Sequence, residues 1–120
     1  MTGRIATGRR IPAKPGLTPK QLDALVEEAT IDAHGDSEQI SGLFTMIEDN
    51  LLLPFDTEVL GVQVTVMRVE LTDDERIVAL CVKGRHRQRL PILDLPIPTP
   101  RPEGAHWIEV YRRWCRHGGR

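Results

Sequence analysis

The chain has 120 residues, 40% of them hydrophobic and 28% charged, ordinary globular usage with room for one core and not two. No apolar run approaches the roughly 18 residues of a membrane span, and residues 1–15 lack the apolar centre of a signal peptide, so a soluble cytoplasmic protein is expected. The formal net charge of −1 conceals a segregation: residues 17–82 hold fourteen Asp and Glu against three Lys and Arg, while residues 1–16 and 83–120 carry excesses of +4 and +6. Such separation suits a negative face that attracts cations and a positive one for an anion or partner, or else the two sets pair across the fold.

Residues 1–16 mix Gly, Pro and Arg without period and read as a flexible basic arm, leaving 17–120 as one domain. The first start signal is Thr18-Pro19-Lys20-Gln21, a capping box with proline in the first turn. A helix is expected to follow, with the apolar stripe Leu22, Leu25, Val26, Ala29 and Ala33, until Gly35 stops it. Asp36 then caps a second helix with Gln39 as its reciprocal side chain. Its core face is Ile40, Leu43, Phe44, Ile47 and Leu51, so Asp49 projects away from the core and Glu48 lies at the boundary. Pro54 ends this segment.

From Phe55 the period falls to two. Val62, Val64 and Val66 alternate with Gln63 and Thr65, after which the apolar parity moves to Met67, Val69 and Leu71, predicting a bulge. Thr72-Asp73-Asp74-Glu75 is a polar turn into a strand over 76–82. The next strand, 85–93, carries Pro91, which belongs at an edge. Pro96, Pro98, Pro100 and Pro102 make an extended strap, and Trp107, Val110, Tyr111 and Trp114 mark a final helix docked on the strands. The order predicts an α+β domain: an N-terminal helical pair, four to five antiparallel strands in a small SH3-like barrel or curled sheet, and a C-terminal helix.

Catalysis needs a nucleophile or base beside an orienting group, and no such spacing is present. His34, His86, His106 and His117 are scattered, and Cys81 and Cys115 have no C-x-x-C neighbour, so each cysteine reads as a reduced packing residue and the chain as no enzyme. Calcium wants six to eight hard oxygens, usually from converging carboxylates. Three clusters offer them: Glu48-Asp49-Asn50 at the end of the second helix, Asp56 with Glu58 on the first strand, and Asp73-Asp74-Glu75 in the turn. Adjacent carboxylates repel, and a bound cation relieves that repulsion, although most such runs are simply solvated. An EF-hand loop begun at Asp36 fails, with Ser41 where glycine belongs and Ile47 where the bidentate Glu should be.

The competing feature is basic. Arg85, Arg87 and Arg89 share one strand face, with successive groups about 6.8 Å apart, and could recognise an anionic partner, protein or nucleic acid. Few aromatics and an acidic middle weigh against nucleic acid. Alternatively, the stripe pairs with Glu58 and Glu70 on neighbouring strands.

Several stretches are shared with a known group of proteins. Phe44-Thr45-Met46-Ile47-Glu48-Asp49-Asn50-Leu51, Leu53-Pro54-Phe55 and Val59-Leu60-Gly61-Val62, followed by Gly84-Arg85, Arg87-Gln88, Pro91-Ile92-Leu93-Asp94-Leu95, Pro102-Glu103-Gly104, Trp107-Ile108-Glu109 and residues 111–114, resemble the bacterial calcium-binding family typified by the cyanobacterial protein CcbP. The resemblance spans residues 40–114. It implies non-catalytic binding of calcium by acidic surface patches, carried here by Glu48 and Asp49 first and Asp56 and Glu58 second; Asp73, Asp74 and Glu75, offered by their clustering alone, are the second choice. One departure stands out: the cyanobacterial members are strongly acidic, whereas this chain is nearly neutral.

Overall fold

The protein is described by a computed structural model covering residues 16–117. The arm expected over residues 1–16 lies, Gly16 apart, outside the described residues. Three helices flank a four-stranded antiparallel sheet: α1 (Pro19–Ala29), α2 (Asp36–Asn50), β1 (Phe55–Val59), β2 (Val62–Leu71), β3 (Ile77–Lys83), β4 (His86–Pro91), a 3-10 turn (Ile92–Asp94) and α3 (His106–Arg116).

The capping box opens α1 as expected. Thr18 Oγ1 accepts the Gln21 N–H at 3.1 Å, and Gln21 Oε1 accepts the Thr18 N–H at 2.9 Å. The helix ends at Ala29, short of the expected Ala33. Thr30 turns its hydroxyl back onto the Val26 carbonyl at 2.8 Å and splits its N–H between Val26 and Glu27, a local bond that competes with helix extension. The Ala29 carbonyl is pressed against Gly42 of α2, where a Cβ would overlap it. Only glycine lets the two helices approach this closely.

At the start of α2 the cap differs from expectation. Gly35 is the N-cap and Asp36 is already helical. Gln39 is used elsewhere: its Oε1 accepts the Trp114 indole N–H at 2.8 Å, which satisfies a donor that burial would otherwise leave unpaired. Ile40, Leu43, Ile47 and Leu51 are buried, and Phe44 is half-buried.

The strands run in the order β1-β2-β3-β4. β1 and β4 are both edges, so the sheet is open and not a closed barrel. The bulge falls between Val66 and Arg68, where the change of parity placed it. Met67 is the extra residue and is exposed, contrary to its expected burial, while Val69 is buried and Leu71 half-buried. β3 is buried on both faces from Ile77 to Cys81.

One face of the sheet carries the core. At one end α2, α3 and Ile92 cover Val69 and Ile77. Nearer the middle, Leu95 and Ile97 of the proline strap cover Val66, Ala79 and Cys81. The strap is tied at both ends. Thr57 Oγ1 donates to the Pro96 carbonyl at 2.6 Å, and the Leu52 N–H donates to the Glu103 carbonyl at 2.8 Å.

Candidate functional site

The last turn of α2 holds Glu48, Asp49 and Asn50, all exposed, and no basic residue. This is the negative end of the helix dipole, where free carbonyls favour a cation and disfavour carboxylates. Asn50 Nδ2 donates to the Met46 carbonyl at 2.8 Å, and the Leu52 N–H is taken by Glu103, which stands exposed at the same corner. The side chains of Glu48, Asp49 and Glu103 take no hydrogen bond or ion pair among the described residues. Glu103 was missed from the sequence, because only the strap's return to α2 brings it here.

The other acidic clusters are partly engaged. Asp56 accepts Thr65 Oγ1 at 2.7 Å and Gln63 Nε2 at 3.4 Å across the β1–β2 ladder. Glu58 stands opposite Gln63 and has no such partner among the described residues. In the β2–β3 turn Asp74 accepts the Thr72 hydroxyl and faces Arg76 at 3.3 Å; the Thr72 bond chiefly holds its carboxyl below the usual range. Glu75 accepts Ser37 Oγ at 2.6 Å. Only Asp73 of this trio is without a bond of this kind among the described residues. No three His, Cys, Asp or Glu side chains come together as a metal-holding group among the described residues, so Glu48, Asp49, Asp56 and Glu58 do not gather into one cage.

The basic stripe is divided. Arg89 Nε donates to Glu70 Oε1 at 2.6 Å, and Arg68 Nε donates to Glu70 Oε2 at 2.7 Å. These two bonds bring the Glu70 carboxyl down to about 2. Glu70 thus takes the pairing foreseen for it, whereas Glu58, on the far edge strand, does not meet the stripe. Arg85 and Arg87 are exposed and have no ion-pair partner among the described residues.

A calcium-binding protein shares this fold. Its solved structure, that of a calcium-binding protein in the calcium-binding form, is 16% identical and matches with a TM-score of 0.67 over 91% of this chain and 99% of its own. At that identity the likeness establishes the fold. No protein-family profile matches the chain, and no curated protein matches it.

Carboxylates are the right donors for calcium, and Glu48, Asp49 and Glu58 are exposed and unengaged among the described residues. Among the described residues no set of three is brought together in advance. Any seat here has one or two carboxylates, with water and backbone carbonyls making up the remainder. Burial pushes both cysteine thiols up.

Proposed function

We propose that this protein binds calcium ions without catalysing a reaction, through exposed carboxylates led by Glu48 and Asp49. The observation that carries the reading is the unbalanced C-terminus of α2, where two carboxylates unpaired among the described residues add to the negative end of a helix with no basic residue in its last turn. A divalent cation offsets both charges at once. The fold shared with a calcium-binding protein supports the reading. Asp56 and Glu58 form a separate, secondary seat, and Asp73, Asp74 and Glu75 rank last because two of the three are already bonded. The proposed seat is of another kind than an EF-hand, a reading supported by the helical placement of Asp36. A buffering or signalling role follows if affinity matches the calcium the protein meets.

With few converging ligands, binding is weak, on the order of 10⁻⁴ to 10⁻³ M. At ten times that concentration calcium stabilises the fold by about 1.4 kcal/mol through mass action. Calorimetry with calcium and with magnesium, and melting curves at matched ionic strength, test this. Glu48→Gln with Asp49→Asn should remove the calcium-specific shift and leave the apo melt in place. An unchanged response would move the site to Asp56 and Glu58 or to the turn, and no response in the parent would reject the reading.

A further inference from the structure

Among the described residues, nothing covers the core face of the sheet along its whole length. Beyond the strap's Ile97 it opens into a groove of about 570 Å³. Its floor is Val59, Val64, Cys81 and Leu90, continuous with the second core cluster, and Lys83 and Arg87 stand at its rim. Leu60 lies at one end, in the two-residue turn between β1 and β2. It is 97% exposed and held at φ 51, ahead of Gly61 at φ 79. Both central residues of such a turn need positive φ, and Asn or Asp is the usual first one. A leucine there accepts backbone strain and gains no internal packing in return. Strain of that kind is a pointer to function.

The rim points the same way. Arg89 is consumed by Glu70, but Lys83, Arg85 and Arg87 have no ion pair among the described residues, so their charge is available to a partner. β4 itself is an edge strand. Its Gln88 and Leu90 face the groove, while Arg87 alternates with them onto the opposite face.

We infer that this end of the sheet is a docking groove for an extended segment of a partner protein in which acidic and apolar side chains alternate, added along β4. The segment's backbone pairs with the open edge. Its apolar side chains turn inward over Leu90 and the valine floor and meet Leu60, and its acidic side chains turn outward to Arg87 and Arg85. Nucleic acid fits poorly, because no Phe, Tyr or Trp lines the groove and His86 is its single ring for stacking a base. An acyl chain would use the floor and leave the strand edge unused. The inference is independent of the calcium reading.

The probe is a fluorescein-labelled decapeptide alternating Asp or Glu with Val or Leu, followed by anisotropy at near-physiological salt with a chelator present. Saturable binding is expected, weakened about tenfold by Arg87→Glu, since removing a contacting charge typically costs that much or more. A peptide with Lys in place of the acids should not bind. Leu60→Asn should weaken binding by about fivefold and raise the melting temperature, because Asn suits the turn; the gain in stability rules out misfolding as the cause. Failure of the acidic peptide to bind, or equal binding of the lysine peptide, overturns the inference. So does dimerisation of the free protein that Leu60→Asn abolishes, which assigns the groove to a second copy. Capture by anionic phospholipid vesicles without peptide binding overturns it in favour of a membrane.

Discussion

Glu70 lies two residues along β2 from Arg68 and across β3 from Arg89 of β4, and its two oxygens are divided between them. Its carboxyl falls from an ordinary 4.5 to about 2, first through Arg89 and then Arg68. A carboxyl whose folded value lies below its unfolded one contributes stability that is complete above the unfolded value and is lost as pH falls toward the folded one. For Glu70 that window runs from about 4.5 down to about 2. Asp23, bonded by Arg113, and Asp74, bonded by Thr72, shift in the same direction, so their contributions too are lost as pH falls below the ordinary Asp value. Urea midpoints measured across this window should fall with pH in the parent protein and fall less steeply in Glu70→Gln. Parallel slopes would show that the pair is solvated in solution and contributes nothing. At this scale the sequence was a fair guide: strand parity placed the arginines on one face and named Glu70 as a partner. It could not say that Arg87, which registers with Val82 of β3, takes no ion pair among the described residues, because that depends on which side chains the fold brings within reach.

Between elements, the decisive contacts are places where a side chain is missing. Gly104 sits at φ 84, and a Cβ there would overlap the Asn50 carbonyl and crowd the Leu51 nitrogen. This contact locks the end of the strap against the end of α2, beside Glu48 and Asp49. Gly61 has a similar φ of 79 but open space around it. Gly61→Ala should therefore cost about 1 kcal/mol for its backbone alone, whereas Gly104→Ala should cost about 3 kcal/mol, adding displaced backbone to strain. Equal losses in denaturant titrations would mean that the corner yields. The helix faces were legible because apolar spacing alone fixes them, and that is why Asp49 was placed off the core and Glu48, which is in fact exposed, at its boundary. The end of α1 was not legible, since the Thr30 hydroxyl turns back to the Val26 carbonyl, a local bond that apolar spacing does not register. Nor were the cap of α2 and the arrival of Glu103, since each depends on a distant partner: Trp114 for Gln39, and Asn50 for Gly104. The groove was hidden for the same reason, although Val59-Leu60-Gly61-Val62, with a leucine where a turn prefers Asn, was its one sequence signal.

Across the molecule, charge segregation survives folding. Arg113 to Asp23 at 2.8 Å and Arg89 to Glu70 at 2.6 Å tie the basic C-terminal third to the acidic middle, but most acids are not paired this way. The two ends of the sheet face thus differ in kind: α2 and α3 close one, and a basic rim borders the open other. What holds the closed end is α3, which buries Trp107, Ile108, Val110, Tyr111 and Trp114. At about 1.5–3 kcal/mol for each side chain, their gross burial is about 7–15 kcal/mol, as large as the roughly 5–15 kcal/mol of net stability a whole domain possesses. By contrast α1 buries no residue fully, so it cannot substitute for α3 over Ile40, Leu43 and Ile47. A chain ending at residue 103 should accordingly lose cooperative unfolding altogether. The measurement must be calorimetry or far-ultraviolet circular dichroism, because both tryptophans and the one tyrosine leave with α3. A retained heat-absorption peak in that truncated chain would mean that the strap and α2 close the sheet by themselves, and the core would then be centred on Val66, Ala79 and Leu95 in place of the α2–α3 contact.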